Sequence, residues 1–418
     1  MQKEVVIIGL GYVGLPLAVE FGKKIQTIGF DINEKRIQEL KKFKDKNLDL
    51  TKSQLIKSKK LIFTSDFNQI KSKDFYIIST PTPIKKNKQP NLKYLIDATT
   101  TVSKVMKKNS IIIYESTVYP GVTENICGSL IQKLRGFVLN KDFYLGYSPE
   151  RINPGDKDHT LKKIEKVISG SNKKALDKIE KLYALILNNK LFKAKTIKVA
   201  EAAKVIENTQ RDINIALMNE LSKIFLKLKI NTQDVLDAAK TKWNFGDYTP
   251  GLVGGHCIGI DPYYLTYKSI ALGYNPKVIL SGRKINDGMP RYIFNNILKL
   301  CAKKKIRRKK ILYLGLTFKE NCPDIRNSKA FELYELLASK FNNIKVYDPF
   351  IKKLDIADKK IDLLEKFPSK KFDIIIIAVK HKYFKKIGLL KFKKLLNRKN
   401  LFIDIKNCFK NYKSDFSL

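Results

Sequence analysis

Short apolar runs alternating with amphipathic stretches set the plan of this chain. Val5 to Ile8 has no polar position and reads as a strand buried on both faces, as in a parallel sheet covered by helices. Thr27 to Phe30, Phe75 to Ser79, Ser110 to Tyr114 and Tyr144 to Tyr147 read the same way. Val199 to Leu228 contains no Gly or Pro, and Ile206, Ile213, Leu217, Leu221, Ile224 and Leu228 recur at steps of three, four and seven. That spacing puts an apolar stripe along one long helix, suited to joining domains and to packing against a twin. A second series of strands follows at Lys310 to Leu316, Ile344 to Tyr347, Phe372 to Ala378 and Leu401 to Ile405. The pattern predicts an α/β protein with two Rossmann-like doubly wound domains joined by a long central helix. The expected domains are residues 1–195, 196–300 and 301–418.

Chemistry gathers at the strand ends. The first strand runs into Gly9-Leu10-Gly11-Tyr12-Val13-Gly14, a GxGxxG turn, followed by helical spacing through Leu17, Ala18 and Phe21. Such glycines allow a tight turn, close approach of a pyrophosphate and helix-on-sheet packing, with the helix N-terminus facing the phosphates. The second strand ends in Asp31, placed to accept both adenosine ribose hydroxyls and to repel a 2′-phosphate, which favours NAD over NADP. Lys35 and Arg36 come soon after and read as the solvated face of the next helix, although Arg36 is also counted among the cofactor contacts. Later strands end in Thr80-Pro81, Glu115-Ser116-Thr117 and Ser148-Pro149-Glu150-Arg151. Ordinary turns look like this too, but in a doubly wound sheet ligands bind at these ends.

Lys204, Asn208 and Arg211 fall at i, i+4 and i+7 near the start of the long helix and project on one face. They read as a solvated polar face, with the alternative that Lys204 and Asn208 are donors for an oxyanion. Downstream, Gly254-Gly255-His256-Cys257-Ile258-Gly259-Ile260-Asp261-Pro262 sets a thiol among glycines with a carboxylate four residues later, in a stretch too rich in Gly and Pro for regular helix. A lone thiol is often just a small buried apolar group. In the second α/β unit Asp348 closes its strand much as Asp31 does. GxGxxG is absent there, and Leu316-Thr317-Phe318-Lys319-Glu320 with Asp324-Ile325-Arg326 stands instead, consistent with a different phosphate-bearing ligand.

Composition narrows the class. At 418 residues, 44% hydrophobic and 10% aromatic, the chain is globular, and no apolar run approaches the length of a membrane span. Glycines interrupt the apolar run from Val5 to Val19, which argues against a signal peptide and for a cytoplasmic protein. The five cysteines are scattered, with no CxxC and no His at ligand spacing, so a disulfide framework or structural metal is not expected. The net charge of +42 would suggest nucleic acid or a membrane surface. The lysines are spread over nearly every surface segment, however, so compositional bias accounts for them and neither partner is expected.

Taken together, GLGYVGLPLA, Ser116-Thr117-Val118, Ser148-Pro149-Glu150-Arg151, Lys204 with Asn208, the Cys257 stretch with Asp261, and GLTFKENCPDIRNS closely resemble the UDP-glucose/GDP-mannose dehydrogenase family over almost the whole length. The resemblance implies oxidation of a sugar C6 alcohol to a carboxylate with two NAD per turnover. It implies that Cys257 is the nucleophile, that Lys204 and Asn208 stabilise the oxyanion, and that Asp261 assists proton transfer. Thr117 and Glu150 would act with water. Gly9, Gly11, Tyr12, Val13, Gly14, Asp31, Arg36, Thr80, Thr117 and Arg326 fall on the cofactor side. Glu150, Arg151, Lys204, Asn208, Arg211, Gly254 and Lys319 fall on the substrate side. Thiol addition to the aldehyde gives a thiohemiacetal whose hydride can leave, and the resulting thioester is hydrolysed.

The Cys segment departs from the GGSCFPKD form of the UDP-glucose enzymes. His256, the Tyr263-Tyr264 pair and Arg151-Ile152-Asn153-Pro154-Gly155 look like the subgroup acting on UDP-N-acetylhexosamines, gluco or galacto rather than manno, supplying surface polysaccharide precursors. UDP-glucose and UDP-ManNAc remain alternative substrates. A one-step Rossmann oxidoreductase with a structural Cys257 and a basic nucleic-acid-binding protein are alternatives of other kinds. The helix stripe predicts a homodimer or higher homo-oligomer.

Overall fold

The computed structural model describes residues 4–45, 50–151, 163–187, 190–255, 257–306, 309–356, 359–409 and 412–418. The chain divides into two compact units, residues 1–207 with 263–275 and residues 208–262 with 276–418.

The first unit is built on one sheet of eight strands: β1 (Val5–Ile8), β2 (Thr27–Phe30), β3 (Leu61–Thr64), β4 (Phe75–Ile78), β5 (Ile111–Tyr114), β6 (Tyr144–Tyr147), β7 (Lys166–Gly170) and β8 (Leu191–Lys193). Their order is β3-β2-β1-β4-β5-β6-β7-β8, parallel throughout except where β6 meets β7. The chain leaves β1 in opposite directions, toward β2 and toward β4, so the sheet's switch point lies at the end of β1, where ligands of such sheets bind. Alternate residues of each strand serve opposite faces. Val5, Ile7, Ile77 and Ile113 pack with Leu15, Ala18 and Phe21 of the helix Gly14–Gly22 and with Ile179 and Leu182 of the helix Lys173–Leu187. Tyr76, Ile78, Ile112 and Tyr114 are buried on the other face, where Thr99 of the helix Lys93–Val105 lies 3.0 Å from the Tyr114 hydroxyl. Helices therefore cover both faces, as the uninterrupted apolar strands require.

The second unit repeats the scheme with four parallel strands, β9 (Ile311–Leu314), β10 (Ile344–Tyr347), β11 (Phe372–Ile377) and β12 (Leu396–Asp404), in the order β10-β9-β11-β12. Ile311, Tyr313, Val346, Ile374 and Ile376 join a core with Ile293 and Ile297 of the helix Lys277–Lys303 and Leu333 and Leu337 of the helix Lys329–Ala338. Leu312, Leu314, Ile375 and Ile377 pack on the opposite side with Phe384, Phe392 and Phe402.

The turns after β1 and β9 match closely. Gly9 (φ +93°) donates to Phe30 O at 2.8 Å and Gly315 (φ +90°) donates to Tyr347 O at 3.1 Å. The next residue, Leu10 or Leu316, then donates its N–H to Asp31 (2.9 Å) or Asp348 (2.7 Å). The two halves are thus one device used twice.

The long helix spans Ile197–Leu228, starting two residues earlier than its apolar pattern. In the single chain the stripe faces outward: Ile206, Leu217, Ile224 and Leu228 are all 45% or more exposed. Among the described residues no helix is long and apolar enough to cross a membrane.

Candidate functional site

In the first unit the dinucleotide turn is tightly specified. A Cβ on Gly14 would fall onto Gly9 O and Ser79 Oγ, so this position accepts nothing larger than glycine. A Cβ on Gly11 would meet nothing within 4 Å, which leaves open space beside the turn where a pyrophosphate would lie. Asp31 is held by the N–H groups of Leu10 and Asn33, both at 2.9 Å. Thr80 has a buried hydroxyl with no hydrogen-bond partner among the described residues, while its carbonyl accepts from Ser116 Oγ at 2.6 Å. A glycine cradle, an acid at the next strand end and an unfilled buried hydroxyl fit NAD.

Arg36 departs from expectation. Lys35 is exposed, but Arg36 is buried: its Nε donates to Leu10 O (3.1 Å) and its Nη2 to Asp45 (2.8 Å). It therefore braces the glycine turn from behind rather than lying on a solvated helix face. The helix Glu34–Lys41 turns position 36 inward with Ile37 and Leu40, and Asp45 supplies the charge that a buried guanidinium needs.

Glu115, Glu150 and Lys166 form a buried cluster at the ends of β5 and β6 and the start of β7. Lys166 Nζ lies 3.1 Å from Glu115 Oε2, 3.7 Å from Glu150 Oε2 and 3.4 Å from Pro149 O. The Tyr183 hydroxyl donates to the other oxygen of Glu115. Burial pushes the Glu115 carboxyl up against the pull of Lys166. Burial alone would lower the Lys166 ammonium, but the two carboxylates outweigh it and hold the group above its ordinary value. Arg151 donates its N–H to Glu150 Oε1 (2.6 Å), and its guanidinium pairs with Glu207 and with Glu165 O. Half-buried Thr117 is followed by a turn that Glu201 holds, accepting from Gly121 N (2.5 Å) and Thr123 N (2.8 Å). Glu201 sits on the long helix three residues before Lys204, so the Thr117 loop is fixed to the helix that carries Lys204.

Lys204 and Asn208 are buried, 8% and 7% exposed, whereas Arg211 is exposed. Burial argues against a solvated polar face for Lys204 and Asn208, while Arg211 lies at the surface.

In the second unit Asn208 Nδ2 donates to Asp261 Oδ2 at 2.6 Å, joining two of the expected site residues. Cys257 stands in a turn whose carbonyl accepts from Ile260 N (3.0 Å) and Asp261 N (2.9 Å), so Asp261 is tied to the cysteine through its backbone. All five cysteines are free; four are buried and Cys257 is half-buried. The segment leading to it is clamped. Asn219 exchanges hydrogen bonds with Gly251 N and O (2.8 and 3.0 Å), and Asn286 bridges Asn219 to Asp212, which Arg283 neutralises. Gly255 (φ +85°) donates to Asn327 O at 3.1 Å. A Cβ on Gly254 would strike that same carbonyl, so the DIRNS segment forms the floor under the cysteine turn. Lys319 is half-buried, and its carbonyl accepts from Thr317 Oγ1 at 2.9 Å. Arg326 pairs with Asp324 and leaves its side chain 63% exposed. Behind Lys319, Asn321 N donates to His381 Nδ1 (3.0 Å), and His381 Nε2 lies 3.3 Å from Asp348. Burial works to raise Asp348, but His381 and the Phe350 and Leu316 N–H groups outweigh it, and the carboxyl is held below its ordinary value.

The tyrosine pair acts differently from a pocket wall. The Tyr264 hydroxyl reaches Thr82 O (2.9 Å) and Pro83 O (3.0 Å), and Lys88 Nζ donates to Tyr263 Oη at 2.8 Å. The pair thus anchors the 80–92 loop to the helix Asp261–Ala271. His256 and residues 152–155 lie outside the described residues. Sequence reasoning missed Lys166, Glu201, Asn219 and His381, since a single buried polar residue in an apolar or helical stretch has no spacing to reveal it.

Residues 3–187 match the UDP-glucose/GDP-mannose dehydrogenase family, NAD binding domain; residues 198–288 match its central domain and 312–411 its UDP binding domain. The chain is 48% identical over 420 residues to a UDP-N-acetyl-D-glucosamine 6-dehydrogenase of Salmonella typhi, covering 100% of this chain and 99% of that protein. It is 47% identical over 418 residues to a protein of the same name from Pseudomonas aeruginosa, covering 99% of each. The solved structure of a UDP-D-ManNAc dehydrogenase from Pyrococcus horikoshii superposes with a TM-score of 0.89 at 30% identity, covering 99% of this chain and 98% of that one.

Proposed function

Because the chain belongs to the UDP-glucose/GDP-mannose dehydrogenase family, whose parts are an NAD-binding, a central and a UDP-binding domain, we propose that it oxidises the C6 alcohol of UDP-N-acetylglucosamine to the carboxylate with two NAD per sugar. The observation that carries the choice of sugar is the end-to-end similarity to two UDP-N-acetyl-D-glucosamine 6-dehydrogenases. The product, a nucleotide-activated uronic acid, suits polysaccharide synthesis. In functional terms residues 1–195 hold NAD, 196–300 carry the reacting groups and 301–418 hold the UDP-sugar.

Gly9, Gly11, Tyr12, Val13, Gly14, Asp31, Thr80 and Thr117 would hold NAD, which would supply the hydride acceptor for both oxidations. The Cys257 sulfur adds to the C6 aldehyde and forms a C–S bond, and Lys204 and Asn208 meet the negative charge that develops on the oxygen. Asp261 orients the Asn208 amide and shuttles the proton of that oxygen. Loss of hydride from the thiohemiacetal leaves a thioester on Cys257. Water then attacks: a C–O bond forms, Glu150 takes the water's proton with Thr117 orienting it, and the C–S bond breaks to return the thiolate. By the family resemblance, Arg151, Arg211, Gly254 and Lys319 are assigned to the sugar nucleotide and Arg326 to the cofactor.

An acetamido group needs a pocket that accepts its bulk and satisfies its N–H and C=O, which a glucose-sized site cannot supply without a clash. The kcat/KM for UDP-N-acetylglucosamine is expected to exceed that for UDP-glucose by about a hundredfold or more when NADH formation is followed with each. Equal values, or a preference for UDP-ManNAc or UDP-glucose, would overturn the assignment.

The outward stripe of Ile206, Leu217, Ile224 and Leu228 supports a homodimer with paired long helices, since a single-chain surface seldom leaves such a row in water. Light scattering at micromolar concentration is expected to give at least twice the chain's 48.1 kDa, and a monomer mass would contradict this.

A further inference from the structure

We infer that Lys166 is a positioning residue of the reaction: its buried ammonium is the fixed counter-ion that pairs with the Glu150 carboxylate and aims it at the water whose proton it takes. This rests on the reading of Glu150 as the base. Lys166 opens β7, the strand that runs antiparallel to β6, and so enters the cluster from behind the Ser148–Arg151 turn. It is 1% exposed, and a lysine that deep is tolerated only when paired.

The charges around Glu150 decide what it can do. Glu150 is 6% exposed, and a carboxylate that deep needs a charge partner. From β7, Lys166 reaches it at 3.7 Å. From the end of β5, Glu115 brings a second carboxylate to the same ammonium at 3.1 Å. From the helix Lys173–Leu187, Tyr183 donates its hydroxyl to Glu115, which satisfies one oxygen of that carboxylate and leaves the ammonium to be shared with Glu150. On its own turn Arg151 offers Glu150 its N–H, while its guanidinium is paired with Glu207. Two carboxylates and one ammonium leave the cluster one charge negative. Without the ammonium it would hold two buried like charges, and one carboxylate would take up a proton.

The sign follows. A cation beside a carboxylate favours the ionised form, so losing the cation favours the neutral acid and losing a neighbouring anion does the reverse. The measurement is the single-turnover release of uronic acid after NADH formation, across about pH 5 to 9. In Lys166→Met the acid limb is expected to move up by about one pH unit or more, which is a tenfold slower release at a fixed pH on the limb. The rate recovers at high pH, the KM for the sugar nucleotide is unchanged, and Lys166→Arg keeps the wild-type profile. In Glu115→Gln the limb is expected to move to lower pH, and this variant decides the matter if Lys166→Met does not fold. A limb that stays in place in the folded variants, or a release rate lowered equally at every pH, overturns the proposal. Glu150→Gln separates the two readings. If it releases product at the wild-type rate, Glu150 is not the base and the proposal falls with it. If it blocks release while the Lys166→Met limb is unmoved, Lys166 alone is misassigned.

Discussion

Cys257→Ser is expected to yield a folded protein that still binds NAD but forms carboxylate at least about a thousandfold more slowly. The substitution changes one atom in a half-buried turn, so the Asn327 floor and the Asn208–Asp261 contact remain and the melting temperature is expected to hold. The chemistry does not survive. A serine alkoxide is much harder to form near neutral pH than a thiolate, and an ester hydrolyses less readily than a thioester. The burial pattern agrees with a chemical use for this thiol, because Cys127, Cys301, Cys322 and Cys408 are buried as packing groups and Cys257 is not. Mass analysis of the product formed from UDP-N-acetylglucosamine and NAD checks this, and wild-type uronic acid formation would make the thiol structural.

Gly254→Ala is expected to lower kcat by about a hundredfold without touching a reacting group, because moving a nucleophile by an ångström costs that much. The new methyl would land on Asn327 O, the same carbonyl that accepts from Gly255 N. Neither side yields easily. Asn327 is in the left-handed region (φ +52°), and Gly255 is as well, with the Phe318 ring 2.5 Å from where its own Cβ would stand. The turn must therefore lift and carry Cys257 with it, at a stability cost of about 1–3 kcal/mol. Kinetics and a thermal melt test this together. Unchanged kcat would mean that the turn is not held by the DIRNS segment.

Much of this architecture is written in local pattern. Strands covered on both faces run apolar without a break, which is why Val5–Ile8, Ile111–Tyr114 and Ile374 to Ile377 within β11 could be read directly. Gly9 to Gly14, Asp31 and the turn at Cys257 were legible because glycine positions record backbone demands that no other residue meets. What escaped was set by tertiary neighbours. β3 and β8 are the two edges of the first sheet and are only partly buried, so their runs are too short and mixed to stand out. β7 begins with a lysine, which argues against a core strand until Glu115 and Glu150 are seen around it. Arg36 looked solvated because nothing in its spacing announces Asp45 as partner. The Tyr263-Tyr264 pair read as a substrate feature, yet its hydroxyls hold a loop that lies some 180 residues earlier in the chain.

One site is expected to carry out two successive oxidations, the second on a thiohemiacetal of Cys257. Counting NADH formed per UDP-N-acetylglucosamine consumed, with the product identified by mass, tests it most directly. Two NADH per sugar and a uronic acid are expected. One NADH per sugar with the aldehyde released would contradict this.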